Sequence, residues 1–316
     1  MIVGVGENRK CTRNFGTHNG IFHCDEIVGI AVLEIAHMND VAYVVRTRNL
    51  DELKKLDIVI DVGGGMLDHH MAGFNVCRHT GEKYASAGLV WKEFAEEAIR
   101  NVMTEEGISI NDNEIKTIKE QIDREVIIPV DAEDNGEKIN PLTGELIPPN
   151  YQFSFVSKFL PSWIDTPNYN EAFCKVEAIV FDILKAIIKD KVVQVATKKE
   201  LQKRYDCIND GILEIPAQTM PWLEDVVSYN ENHNYKVKFV IFPYPAGGWA
   251  AQSVPPSIEK KFEQLVSFPK EWAGENEKTL PEISGIQDAT FCHNGCFFAR
   301  AKTKEAVLEM CRIAMN

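Results

Sequence analysis

A chain of 316 residues with 45% hydrophobic and 26% charged residues holds enough material for one large or two ordinary globular domains, and two are expected. No apolar run reaches the roughly 18 residues of a spanning helix, and the N-terminus lacks the basic-then-apolar pattern of a secretory signal, so a cytoplasmic protein with no membrane partner is expected. A formal charge of -13 argues against a general grip on long polyanions, because the mean surface field repels them.

Residues 26 to 37, EIVGIAVLEIAH, are apolar nearly all round and predict a buried helix with Asp25 at its N-cap, after a preceding strand. VAYVVR (41 to 46) and DIVIDV (57 to 62) are β-branched runs of strand length, separated by NLDELKKL, which has helical character. Residues 84 to 103 place Leu89, Val90, Phe94, Ala98 and Val102 at helical spacing, and 111 to 126 form a second amphipathic pattern. VIIPV (126 to 130) reads as a fourth strand-like run, and EKINPLTGELIPPN (137 to 150) as a surface loop rich in turn formers. A long helical stretch from Phe173 to Tyr205, with a break expected near Asp190, links two domains. Beyond it ILEIP, VKFVIFPYP, WAAQSVP and TFCHNGCFFARA are strand candidates, with helices expected at IEKKFEQL (258 to 265) and KTKEAVLEMCRIAM (302 to 315). The alternation gives an α/β class: a parallel-sheet N-terminal domain over 1–205, long helix included, and a smaller α+β C-terminal domain over 206–316.

The eight cysteines (Cys11, Cys24, Cys77, Cys174, Cys207, Cys292, Cys296 and Cys311) lack paired spacings and read as free thiols. Cys292 and Cys296 have no second pair with which to build a zinc site.

Histidine and aspartate concentrate in four pieces: THNGIFHCDE (17 to 26), VIDVGGG (59 to 65), LDHHMAG (67 to 73) and PVDAEDNG (129 to 136). Each follows, or lies just beyond, an apolar strand-like run. In an open α/β sheet the carboxyl ends of the strands share one crevice, so residues distant in sequence converge there. His18, His23 and Asp25 offer the mixed nitrogen and oxygen ligands that Mn, Zn or Fe accept. Asp61, closing a strand ahead of Gly63, Gly64 and Gly65, suits a carboxylate bridging two cations. Asp68, His69 and His70 are consecutive metal-competent or proton-handling groups. Asp131 or Asp134 completes the set, the other orienting a histidine, and spacing leaves that choice open. Two cations so held generate a nucleophile from water and neutralise charge on the attacking and leaving oxygens of a phosphoester.

These residues resemble the DHH phosphoesterase superfamily and, within it, the Myg (melanocyte proliferating gene) family of metal-dependent hydrolases and exonucleases. The likeness runs through THNGIFHCDE, DVGGG, DHH, YASAGLVWKEF, VDAEDNG, PAGGWAAQSVP and FCHNGCFFARAKTKEA, nearly the whole chain in order. It implies a DHH-type N-terminal domain holding a dinuclear site at His18, His23, Asp25, Asp61, His69 and Asp131 or Asp134. Mn2+ is the expected metal, with Mg2+ and Zn2+ as alternatives. It further implies catalytic roles for His70, facing the phosphate, and Asp68. A C-terminal domain binding substrate through Gly247, Gly248, Trp249, His293, Asn294 and Gly295 is implied as well.

The leading expectation is an exonuclease acting on short RNA, DNA or single-stranded ends by two-metal hydrolysis. Arg46, Arg48, Arg78 and Lys83 are available as a local basic rim. A small-molecule phosphohydrolase acting on a dinucleotide or pyrophosphate is the alternative, and a non-catalytic metal- or nucleotide-binding module the third reading. Protein partners stay open, a homodimer included.

Overall fold

The computed structural model describes residues 12–164 and 166–316, so Cys11 lies outside the described residues. β1 (Thr12–Thr17) leads into α1 (Cys24–Ala36), then β2 (Val41–Arg46), the short α2 (Leu50–Leu53) and β3 (Ile58–Val59). The three strands form a parallel sheet in the order β2-β1-β3. Their carboxyl ends therefore lie along one edge, where His18 follows β1 and Asp61 follows β3.

β3 is shorter than the run DIVIDV predicts because Asp61 adopts φ of 59°, in the left-handed region, and its N–H turns to the carbonyl of Leu67 (3.0 Å). Among the described residues β3 pairs on one side only, so Asp61 follows an edge strand of this sheet. At α1 the cap is His23 and not Asp25. Glu26, three residues on, accepts the His23 N–H at 2.8 Å, and an acid at that position ties off the free N–H groups of a helix start.

α1 is buried on nearly every side, as its all-round apolar pattern predicts, and packs against α3 (Ser86–Glu105). Gly29 lets α1 close on the chain just after β3: a Cβ there would stand 2.8 Å from Ile60 Cδ1. The fourth expected strand does not form. α4 (Asp112–Ile122) passes through a π-helical turn (Asp123–Ile127) into α5 (Ile128–Asp134), with Pro129 in the first turn, where no N–H is required. Val126, Ile127 and Val130 are buried in this helical form. An apolar run of five suits a buried helix as well as a buried strand, and periodicity cannot separate them.

α6 (Tyr169–Arg204) is continuous, with no break at Asp190. Lys185, Lys189 and Lys191 along it pair with Glu105, Glu106 and Glu125. By chain contacts the molecule divides into two units, 1–192 and 193–316.

The second unit holds β4 (Ile212–Glu214), α7 (Leu223–Asn232), β5 (Phe239–Pro243), β6 (Trp249–Ser253), the short α8 (Leu280–Ser284), β7 (Ala289–Cys292), β8 (Phe298–Ala301) and α9 (Lys304–Met315). Its mixed sheet runs β4-β5-β6-β8-β7, parallel only between β4 and β5. Alternate residues of β5 face two cores: Phe239 and Ile241 pack with Val307 and Met310 of α9, while Val240 and Phe242 pack with Val226 of α7 and Leu201. The helix expected over 258–265 is instead a loop whose ends meet, with Leu265 N–H donating to Val254 O (2.9 Å). Phe262, 86% exposed, finds no core to pack on, and a helix this short needs one. The seven described cysteines are free thiols, and among the described residues no helix is long and apolar enough to cross a membrane.

Candidate metal centre

Imidazoles and carboxylates meet at the carboxyl edge of the parallel sheet. His18 Nε2 lies 3.0 Å from Glu26 Oε1 and 3.2 Å from Asp61 Oδ2, all three side chains nearly excluded from solvent. His69 Nδ1 stands 3.7 Å from Asp25 Oδ2 and 3.9 Å from Asp61 Oδ1, and its Nε2 is 3.0 Å from Asp134 Oδ2. His70 Nδ1 is 3.0 Å from Asp61 Oδ1, and the His69 and His70 rings stack with centroids 4.1 Å apart. Ser86, the first residue of α3, donates to Asp61 Oδ1 at 3.0 Å.

Four groups of three have ligand atoms all within 4.8 Å of one another: His18, His23 and Glu26; His23, Asp25 and Asp134; Asp25, Glu26 and Asp61; and Asp61, His69 and His70. Because the groups share members, they form one connected cluster. It draws on the turn after β1, the first turn of α1, the loop after β3 and the end of α5.

The donor set fits divalent cations. Asp25 is 1% exposed and neither carboxylate oxygen has a hydrogen-bond partner, while Asp61 Oδ2 and Glu26 Oε1 face His18 without a directed hydrogen bond. Anions so buried are costly unless a counter-charge meets them. Burial first, then the charges of Asp61 and Glu26, raises the Asp25 carboxyl well above the ordinary range. For His18, burial works to lower the imidazole pKa, but the Asp61 and Glu26 carboxylates overcome it and raise the value to about 10. Burial likewise opposes the charged forms of His69 and Asp134, yet their mutual hydrogen bond raises the histidine and lowers the aspartate. The cluster thus favours positive charge, which a divalent cation could supply in place of those protons.

Asp131 lies apart from these groups. Its Oδ2 is 2.8 Å from Arg78 Nη2 and its Oδ1 accepts the Gly88 N–H at 2.9 Å. Gly88 leaves the space this needs, since a Cβ there would stand 1.9 Å from Asp131 Oδ2. Burial raises the Asp131 carboxyl to about 7 against the lowering pull of Arg78. Arg78 is itself buried and also paired with Asp123 at 2.7 Å, so it is no part of a surface rim. Lys83 pairs with Glu137, and Arg46 donates to the carbonyls of Gly20 and Tyr169 while covering the Phe173 ring; Arg48 is exposed.

Asp68 is buried, its oxygens accepting the Gly64 N–H at 2.8 Å and the His70 N–H at 2.9 Å, which fixes the loop carrying both histidines. The sequence reading missed Glu26 and Ser86. Glu26 carried one signal, its spacing of three from His23, which reads first as helix capping; Ser86 carried none beyond a helix start.

In the second unit, Gly247 and Gly248 form the β5–β6 turn and line an open cavity of about 670 Å3 with Lys278, Arg300 and Lys302. Gly248 has φ of 77° and no room for a Cβ, which would stand 2.4 Å from Ala301 O. Trp249 is half-buried, with Lys304 Nζ 5.2 Å from its ring centroid. His293, Asn294 and Gly295 make the exposed β7–β8 turn, where His293 Nδ1 accepts the Gly295 N–H at 3.0 Å. Since Trp249 pairs with Ala301 and Gln252 with Phe298, the two turns sit at opposite ends of β6, on the order of 15 Å apart.

Two α/β units, the first presenting a histidine–carboxylate cluster fit for cations, define an α/β protein with a candidate metal centre. The family model MYG1_exonuc, described as "Uncharacterised protein family (UPF0160)", matches residues 14–315, and the chain belongs to that family, bearing out the Myg resemblance. The chain is 30% identical over 338 residues to the MYG1 exonuclease of Mus musculus, covering 98% of this chain and 86% of that protein. It is 28% identical over 319 residues to a MYG1 protein of Schizosaccharomyces pombe, covering 95% and 96%. Among solved structures, RecJ from Thermus thermophilus in complex with Mn2+ aligns with 96% of this chain at 11% identity and a TM-score of 0.27, a likeness too slight to define a shared fold. This chain spans about half of that RecJ chain, 52%.

Proposed function

We propose that the protein is a metal-dependent phosphodiesterase of the DHH type that removes nucleotides from the ends of short RNA or single-stranded nucleic acid. The observation carrying the proposal is the cluster of buried carboxylates of Asp25, Asp61 and Glu26 among His18, His23, His69 and Asp134, in which neither oxygen of Asp25 has a hydrogen-bond partner. The relatives named MYG1 exonuclease support the substrate class.

His18, His23, Asp25, Asp61, His69 and Asp134 are the proposed ligands of two divalent cations, Mn2+ first among them, with Asp61 shared. When bound, such cations activate water and offset the charge that gathers on the phosphoryl oxygens. Asp134 takes the ligand place, and Asp131 the structural one, because Asp131 already answers to Arg78. Ser86 holds Asp61 Oδ1, and Glu26 ties the turn before α1 to the His23 N–H, so the ligands are oriented in advance. His70, whose side chain is 58% exposed, is the proposed donor to a phosphate oxygen. Asp68 positions it through the backbone. The β5–β6 turn at Gly247, Gly248 and Trp249, with Arg300 and Lys302 beside it, is the proposed phosphate-facing surface of the second unit. The β7–β8 turn at His293, Asn294 and Gly295 is a separate proposed contact. A reducing, cytoplasmic setting is proposed on the cysteine spacing alone.

The test is release of mononucleotides from end-labelled single-stranded oligonucleotides by metal-stripped protein, with and without added Mn2+, alongside Asp61→Asn. The proposal expects release only with Mn2+ and only by the wild type. Folded protein that binds Mn2+ and releases nothing would remove it.

A further inference from the structure

A cavity of about 400 Å3 opens directly beside the cluster, touching His23, His70 and Asp134. It is also lined by Phe153, Val156 and Leu160, from the segment ahead of α6, and Phe22 completes an apolar surface. Ser154 and Ser157, both exposed, add two hydroxyls. Among the described residues no lysine or arginine lines the space, and the one ionised group beyond the cluster itself is the Glu133 carboxylate.

The wall is tied to the cluster. Asn150, buried, donates to Glu133 Oε2 at 2.8 Å and to Cys24 Sγ at 3.3 Å, and accepts the Phe153 N–H at 3.0 Å. Cys24 and Glu133 are the sequence neighbours of Asp25 and Asp134. One asparagine therefore sets the 153–160 segment relative to two proposed ligands, so the distance from wall to cluster is fixed by the fold.

We infer that this cavity is the seat of a single nucleoside, the sugar and base of the nucleotide whose phosphate meets the cluster. A phosphate is repelled by Glu133 and finds no cation there, so the phosphate has its place only at the cluster end. A flat heterocycle gains the apolar wall and the serine hydroxyls. The volume is toward the lower end of small-ligand sites, which run from roughly 300 to 1,000 Å3. It suits one nucleoside, and a continuing strand would carry its next phosphate against Glu133. The reading rests on the proposed phosphodiesterase function and deepens it: the enzyme takes a terminal residue and frees a mononucleotide. The same nucleoside monophosphate unit occurs at a strand end and in a dinucleotide.

The test fills the cavity from its exposed side with Ser157→Trp and uses Lys158→Trp, exposed and outside the cavity, as the bulk control. Wild type and both variants are titrated, in Mn2+, with inorganic phosphate and with adenosine 5′- and 3′-monophosphate, and Mn2+ binding is measured separately. Wild type is expected to hold the preferred mononucleotide about tenfold tighter than phosphate. Ser157→Trp is expected to erase that difference with Mn2+ binding kept, and Lys158→Trp to leave it intact. Equal affinity of wild type for phosphate and both mononucleotides, or a Ser157→Trp protein that binds them as wild type does, overturns the inference. Wild type that binds no Mn2+ overturns the function reading itself. Rates on a dinucleotide and a 12-mer then assign the source: loss on the 12-mer marks a strand end, and loss confined to the dinucleotide marks the small molecule and overturns the strand-end reading.

Discussion

His69 Nε2 stands 3.0 Å from Asp134 Oδ2, joining the loop after β3 to the last residue of α5. Three residues earlier on the same helix, Asp131 turns instead to Arg78, 2.8 Å away. Two acids of one short helix thus meet different partners, and substitution separates their proposed roles. Asp134→Asn is expected to weaken Mn2+ binding by at least about tenfold with little change in Tm. Asp131→Asn breaks a buried ion pair and is expected to cost about 3 kcal/mol of stability while leaving Mn2+ affinity near wild type below its lowered Tm. Calorimetric Mn2+ titration and thermal unfolding of both variants check the pair; the reverse pattern would exchange the two roles.

Gly88→Ala places a methyl group where Asp131 Oδ2 now sits. The acid must leave Arg78 or α3 must shift, at an expected cost of about 2 kcal/mol. Denaturant unfolding measures it, and a neutral substitution would show that α3 yields more readily than its buried contacts indicate.

Glu177 on α6 is 1% exposed, and burial first, then the adjacent Glu34, raises its carboxyl to about 9. The folded chain keeps a proton that the unfolded chain gives up from about pH 4.5, the ordinary glutamate value. Stability is thus lost as pH rises from there toward 9. Glu177→Gln removes the loss: its Tm should equal wild type near pH 4.5 and exceed it increasingly up to pH 9. A constant difference across that range would contradict the buried-carboxyl account.

Asp25 gives the matching test inside the cluster. In metal-stripped protein the Asp25 carboxyl is buried with no hydrogen-bond partner on either oxygen, and its ionised form is disfavoured, so Asp25→Asn should raise the Tm of that form, by roughly 2–4 °C for each 1 kcal/mol recovered. Added Mn2+ should raise the Tm of wild type and not that of the variant. A variant less stable than stripped wild type would mean the acid serves packing first.

Much of this centre was legible in sequence. Histidine and aspartate directly after apolar strands have few structural duties, so His18, Asp61 and His69 stood out, and α1 announced itself by apolar residues on every face. Other parts were hidden for physical reasons. VIIPV is too short for its period to tell helix from strand, and Pro129 is tolerated in a first turn. IEKKFEQL has helical spacing, but only packing makes so short a helix, and Phe262 has nothing to pack on. Arg78 read as a surface cation because its partners, Asp123 and Asp131, are 45 and 53 residues away. The site wall at 153–160 left no mark, since apolar residues lining a cavity look like any others.

The most direct measurement is an anomalous difference map at the manganese edge from crystals grown with Mn2+. The account predicts peaks within coordination distance of Asp25, Asp61 and His69, with Asp61 shared between two of them. A map empty at this cluster, in protein shown to release mononucleotides, would contradict it.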